Sequence, residues 1–207
     1  MSTQRKRAEQ KTIGQWLLIV VSTASATSTL RVHVWRTLRA LGAHYLQQSV
    51  CVLPDRPLTA RALNRLLQRV RLQGGEGRVL HITIADAAEE RGIIAAFGAE
   101  RFDEYAEVKA RTPAFLEEIA MERARGRATY AEVEESVADL ERLRTWLARI
   151  RARDYFGAAG LEDAEAAVER CADALAAFEA EAFRLEESGA RTEEPTPAHL
   201  RIVNDES

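Results

Sequence analysis

The sequence predicts an α+β fold on three observations: an early apolar run rich in β-branched residues, two helical patterns with apolar spacings of three and four, and a polar turn between two short alternating segments. Together they give the order β-α-β-β-α-β over residues 13–86. Trp16 to Ser22 (WLLIVVS) reads as a strand buried on both faces, at the centre of a sheet. The first helix begins near Thr27 or Ser28, either of which can cap it by accepting from an early backbone N–H, and it ends at Gly42. Leu30, Val34, Leu38 and Leu41 share its packing face, while Arg31, Arg36 and Arg39 lie off that face. Tyr45 and Leu46, then Val50 and Val52, form two short strands meeting at Gln47-Gln48-Ser49, and Pro54 closes the second. A second helix runs from about Thr59 to Gln73 and stops at Gly74-Gly75. A last strand, Arg78 to Ala85, alternates Val79, His81 and Thr83 against Leu80, Ile82 and Ile84. This order is the signature of a ferredoxin-like domain, an antiparallel sheet with both helices on one face.

A helical extension is expected over residues 87–187. Gly92, Gly98 and Pro113 should break its first part, with Phe97, Phe102, Tyr105 and Phe115 laying it across the sheet or beside the first helix. Val133, Val137, Leu140, Leu143, Leu147 and Ile150 make one apolar stripe. Leu161, Ala164, Val168, Cys171, Leu175, Phe178, Ala182 and Leu185 make another, and the short link Tyr155 to Gly160 predicts an antiparallel helical hairpin. Residues 1–12 read as a basic disordered N-terminus and 188–207 as a disordered tail.

Several stretches resemble the N-terminal domain of the ChrB family of chromate resistance regulators. They are Trp16-Leu17-Leu18, Leu30-Arg31-Val32 with Val34-Trp35-Arg36, Leu41-Gly42-Ala43, Val50-Cys51-Val52-Leu53-Pro54, Gly74-Gly75 and Arg153-Asp154-Tyr155-Phe156-Gly157. The resemblance spans roughly Ile13 to Glu187 and implies a link to chromate resistance. Family members that act as chromate-responsive regulators are commonly longer, with a further C-terminal domain, and the resemblance gives the expectation that this chain is a shorter member without it.

The formal net charge of -3 conceals an asymmetry. Residues 1–78 hold 13 Lys or Arg against 3 acids, and residues 79–207 hold 16 against 29. Opposite signs on the two halves suit a nucleic-acid-binding front with an acidic rear. In the second helix Arg61, Arg65 and Arg69 recur every fourth residue opposite Leu63, Leu66, Leu67 and Val70, with no acid in the helix to neutralise them. Such a ridge, with guanidinium groups about 6 Å apart along the axis, suits repeated phosphates. The competing reading is a solvated face paired with acids of the C-terminal half. Arg31, Arg36 and Arg39 could also hold a tetrahedral oxyanion such as chromate or sulfate.

No catalytic grouping emerges. His33, His44, His81 and His199 lack metal-ligand spacing, no P-loop, GxSxG or GxGxxG is present, and no cofactor is called for. His81 reads as a satisfied residue on a strand face. A ferredoxin-fold nuclease would carry a metal-binding carboxylate just after the first strand, where this chain has Ser22-Thr23-Ala24. Cys51 and Cys171 are distant in sequence and form no CxxC; Cys51 reads as a small buried hydrophobe and Trp35 as a core residue at the edge of an apolar face. No segment is long enough to span a bilayer and none resembles a signal peptide, so a cytoplasmic location is expected. The leading expectation is a cytoplasmic regulatory protein, dimeric through its hairpin, that binds DNA or an oxyanion through arginines 31, 36, 39, 61, 65 and 69. The alternative is a non-enzymatic dimerising interaction module without a ligand of its own.

Overall fold

The computed structural model describes residues 15–23, 27–125 and 130–192. The elements are β1 (Trp16–Ser22), α1 (Ser28–Ala40), β2 (His44–Gln47), β3 (Val50–Pro54), α2 (Pro57–Leu72), β4 (Glu76–Ile82), α3 (Ala87–Ala124), α4 (Tyr130–Arg151) and α5 (Leu161–Thr192). The class is α+β, and the four strands form one antiparallel sheet in the order β2-β3-β1-β4. The described chain divides into two compact units. One takes residues up to Glu107 and Leu147–Glu162; the other takes Val108–Trp146 and the chain from Asp163.

In the first unit β1 sits between β3 and β4, as its continuous apolar run predicts, in register from Trp16↔Pro54 to Val20↔Val50 on one side and Trp16↔Ile82 to Ser22↔Glu76 on the other. Alternation along these strands places Leu17, Ile19, Val21, Cys51, Leu53 and Val79 on one face. Leu30, Val34 and Leu38 of α1 and Leu63, Leu66, Leu67 and Val70 of α2 are buried in the same core. Each such side chain stabilises the unit by about 1.5–3 kcal/mol relative to exposure. A methyl group on Gly77 would come within 2.5 Å of Leu67, so the bare backbone there lets α2 lie close against β4. The opposite face is covered at one end. Trp16 packs 6.0 Å from Phe97 and 5.8 Å from Phe156 between ring centroids, and its indole N–H donates to Glu90 at 2.9 Å. On the same face Leu80, paired with Leu18 on the edge strand β4, remains 48% exposed.

Thr27 caps α1, its hydroxyl accepting from the Leu30 N–H at 3.3 Å. Gly42 follows the helix with φ 70°, where a Cβ would also crowd Arg101 and Arg153. The last strand lies nearer the N-terminus than its alternation suggests, at Glu76–Ile82 rather than Arg78 to Ala85, because pairing begins at Ser22↔Glu76 immediately after the Gly74-Gly75 turn. α2 begins at Pro57 rather than about Thr59, proline having no N–H to lose at a helix start.

The breaks expected at Gly92, Gly98 and Pro113 do not occur: α3 is one helix of 38 residues. Proline at 113 removes the bond to the Lys109 carbonyl, but the Thr112 hydroxyl donates to that carbonyl at 2.9 Å. The glycines cost helix propensity, about 1 kcal/mol each against alanine, without stopping the helix.

In the second unit residues of α3 join those of α4 and α5. Lys109 pairs with Asp163 at 2.9 Å, Arg123 with Glu181 at 2.8 Å, and the Cys171 thiol donates to the Thr112 carbonyl, so α3 and α5 run in the same direction. One cleft is lined by Arg111, Phe115 and Glu118 of α3 and by Asp139, Leu143 and Trp146 of α4. Val108, Phe115, Ile119, Leu140, Val168, Cys171, Leu175 and Phe178 are buried. α5 continues through Thr192, beyond the position where the tail was expected to begin. The basic segment 1–12, His199 and the rest of the tail lie outside the described residues. Among the described residues no helix is long and apolar enough to cross a membrane.

Candidate functional site

Arg31, Arg36, Arg39, Arg61, Arg65 and Arg69 are all exposed. Within the sheet-bearing unit, no described carboxylate pairs with any of them. They are carried by two helices, Arg31, Arg36 and Arg39 by α1 and Arg61, Arg65 and Arg69 by α2. On α2, Arg61, Arg65 and Arg69 form an uninterrupted row opposite the buried leucines, on the helix that packs along β4. Nearby Arg71 is tied down, donating to the Gly77 carbonyl at 3.4 Å. On α1 the four-residue spacing joins Arg31 and Arg39 to Trp35, and this row faces the β2–β3 hairpin. Arg36 stands off that row, on the solvent side of α1.

Trp35 is not a core residue: it is 49% exposed, with the Arg39 guanidinium 5.2 Å from its ring centroid. Position at the edge of an apolar stripe leaves a side chain in or out depending on what lies beside the helix, and here β2 leaves a groove. Tyr45, on β2, shares that groove with Trp35.

The groove has two lobes of opposite character. One, about 170 Å³, is lined by Arg31, Thr23, Gln48 and Ser49 over a floor of Ile19, Val21 and Cys51, and none of its described lining residues carries a carboxylate. Burial pushes the Cys51 thiol up to about 12, so it stays protonated near neutral pH. Burial, with Cys51 adding to it, also raises Tyr45. The other lobe, about 370 Å³, is lined by Arg39 and Arg101 together with Glu100, Asp103, Glu104 and Glu107 of α3. Arg101, 5% exposed, lies 2.7 Å from Glu104 and 3.3 Å from Glu100. Arg153 reaches Glu104 at 2.7 Å, and His44 meets Glu100 at 2.8 Å. The Arg101 Nε contact is an ion pair without hydrogen-bond alignment, and its Nη1 is buried with no hydrogen-bond partner. Asp103 and Glu107 enter no ion pair among the described residues.

The segment Arg153-Asp154-Tyr155-Phe156-Gly157 holds this arrangement together. Asp154 accepts from the Gly157 and Ala158 amides and from the Tyr105 hydroxyl at 3.1 Å. Tyr155, kept protonated by burial, donates to the Leu41 carbonyl at 2.7 Å, satisfying the end of α1. Phe156 packs on Trp16 and Phe97, and Gly157 turns with φ 73°. Its job is to fix α1 against the start of α3.

Among the described residues no group of three or more His, Cys, Asp or Glu is placed to hold a metal ion. His81 is a strand-face residue, 2.8 Å from Asp55.

Residues 31–189 match the family model described as Protein ChrB, N-terminal. The chain belongs to the ChrB N-terminal family. A segment of 92 residues is also 36% identical to Protein ChrB of Cupriavidus metallidurans, covering 44% of this chain and 28% of that protein. The match therefore spans little more than a quarter of the relative's length. All six arginines, both aromatic residues of the groove and the segment 153–157 fall inside the ChrB family match; β1 precedes it.

Proposed function

We propose that this chain is a non-enzymatic, ChrB-like cytoplasmic regulatory protein associated with chromate resistance, and that it binds DNA through its exposed arginines, chiefly Arg61, Arg65 and Arg69. The observation that carries this reading is the α2 row, exposed and without a described carboxylate partner in its unit. Guanidinium groups one helical turn apart suit successive phosphates, each of which they can hold bidentately. Family membership supports the chromate link. The sheet order β2-β3-β1-β4 with both helices over one face supports a ferredoxin-like scaffold, rigid enough to present the row.

A direct response to an oxyanion such as chromate or sulfate is the second part of the reading, favoured by the small groove lobe with Arg31 and no described carboxylate. The alternative, a homodimerising module without a ligand, draws on β4, an edge strand that carries the exposed Leu80. Titrating the protein into labelled DNA from upstream of its own gene, across 50 to 300 mM salt, tests the first reading. Affinity should fall steeply and linearly on logarithmic axes. Salt-independent or absent binding, with a dimer in solution, would leave the interaction module.

A further inference from the structure

We propose that the groove between α1 and the β2–β3 hairpin is a nucleotide site, with a base stacked at Trp35 and Tyr45, its amino edge toward Asp103 and Glu107, and its phosphate at Arg31. The proposal goes beyond DNA binding by α2 and does not depend on it. Three features of the groove carry it. Two half-exposed aromatic side chains stand at the junction of both lobes, which is where a planar ring would be gripped. On one side of that junction the described lining offers donors and no carboxylate: the Arg31 guanidinium, the Gln48 amide and the Thr23 and Ser49 hydroxyls. On the other side Asp103 and Glu107 are carboxylates without a described ion-pair partner, acceptors for the amino groups of a base.

A simple anion at Arg31 would leave the carboxylates of the acidic lobe unmatched, and an organic cation there would leave Arg31 unmatched. A ligand acceptor-rich at one end and donor-rich at the other, with a flat ring between, fits both. Taken together the lobes fall within the roughly 300–1,000 Å³ usual for small-molecule sites. Arg39, already over the Trp35 ring, adds a cation to the stack. Buried Cys51 forms part of the floor and takes no chemical part.

Calorimetric titration of the full chain with GMP, guanosine, UMP and inorganic phosphate tests this. GMP should bind at least tenfold tighter than guanosine, UMP or phosphate. Arg31→Gln should bring GMP down to the affinity of guanosine, Asp103→Asn should narrow the gap between GMP and UMP, and Trp35→Ala should weaken all nucleotides about tenfold or more. Binding by a short guanine-bearing single strand but not by free GMP, with the same losses in the variants, would keep the site and assign the nucleotide to a strand. The triple variant Arg61→Gln, Arg65→Gln, Arg69→Gln should bind GMP unchanged, which separates this site from the DNA surface. If neither GMP nor the guanine-bearing strand binds more tightly than phosphate, or if the variants bind like the unmodified protein, the proposal is overturned.

Discussion

α1 and α2 are built alike and used differently. Each buries leucines and valines in the same core and turns arginines outward. On α2 the arginines are exposed and no described carboxylate of their unit pairs with them, which suits a long, regularly charged partner. On α1 the corresponding row is interrupted by Trp35 and walled by the β2–β3 hairpin and α3, so Arg31 and Arg39 look into a groove instead. What lies beside a helix, more than its own charge pattern, decides whether its arginines meet a surface or a small ligand.

Substitutions under the two helices have the largest expected effects. Leu30→Ala and Leu63→Ala each remove a side chain that is 0% exposed, and each should cost about 2–5 kcal/mol in chemical denaturation. A loss under 1 kcal/mol at either position would mean that its helix is not anchored in the shared core.

The helix ends provide a smaller contrast. Thr27→Ala removes the α1 cap and should cost about 1 kcal/mol. α2 has Arg56 at the capping position with no side-chain bond, so Arg56→Ser should gain about 0.5–1 kcal/mol. Equal and opposite signs in thermal melts would confirm that only α1 is capped.

Cys51 distinguishes the two faces by pH. Its thiol has an ordinary value of 9.0 and a folded value of about 12. Because burial raises the folded value, the stabilisation is present at neutral pH and is lost as pH rises from about 9 toward 12. Stability should fall over that window, less so in Cys51→Val. At pH 8 the folded protein should react with a thiol reagent far more slowly than the unfolded chain. Equal rates would show an accessible thiol at the groove floor.

Much of the sheet-bearing unit was legible because its signals are local: the apolar run of β1, the three-and-four spacing of α1 and α2, and the stops at Gly42 and Gly74-Gly75. The arginine rows were legible for the same reason, since spacing alone assigns Arg61, Arg65 and Arg69 to one side. The continuity of α3 was not, because it rests on the Thr112 hydroxyl taking over a carbonyl bond that Pro113 cannot make. The third helix in the second unit followed that misreading. The groove was not legible either: Tyr45, Glu100, Arg101, Asp103 and Glu107 come together across half a hundred residues of chain, and no local pattern marks them. The segment 153–157 carried a family resemblance without revealing that its polar groups secure the end of α1.

The central claim is that α2 is the DNA-facing helix and α1 is not, and salt dependence tests it most directly. Each contacted phosphate contributes about 0.9 to the slope of log affinity against log salt. The triple variant at Arg61, Arg65 and Arg69 should therefore flatten the slope by about 2–3 and weaken binding more than tenfold at low salt, with an unchanged melting temperature. A matching variant, Arg31→Gln with Arg39→Gln, should move the slope by less than about 1. An unchanged slope in the α2 variant, or a larger change in the α1 variant, would contradict the account.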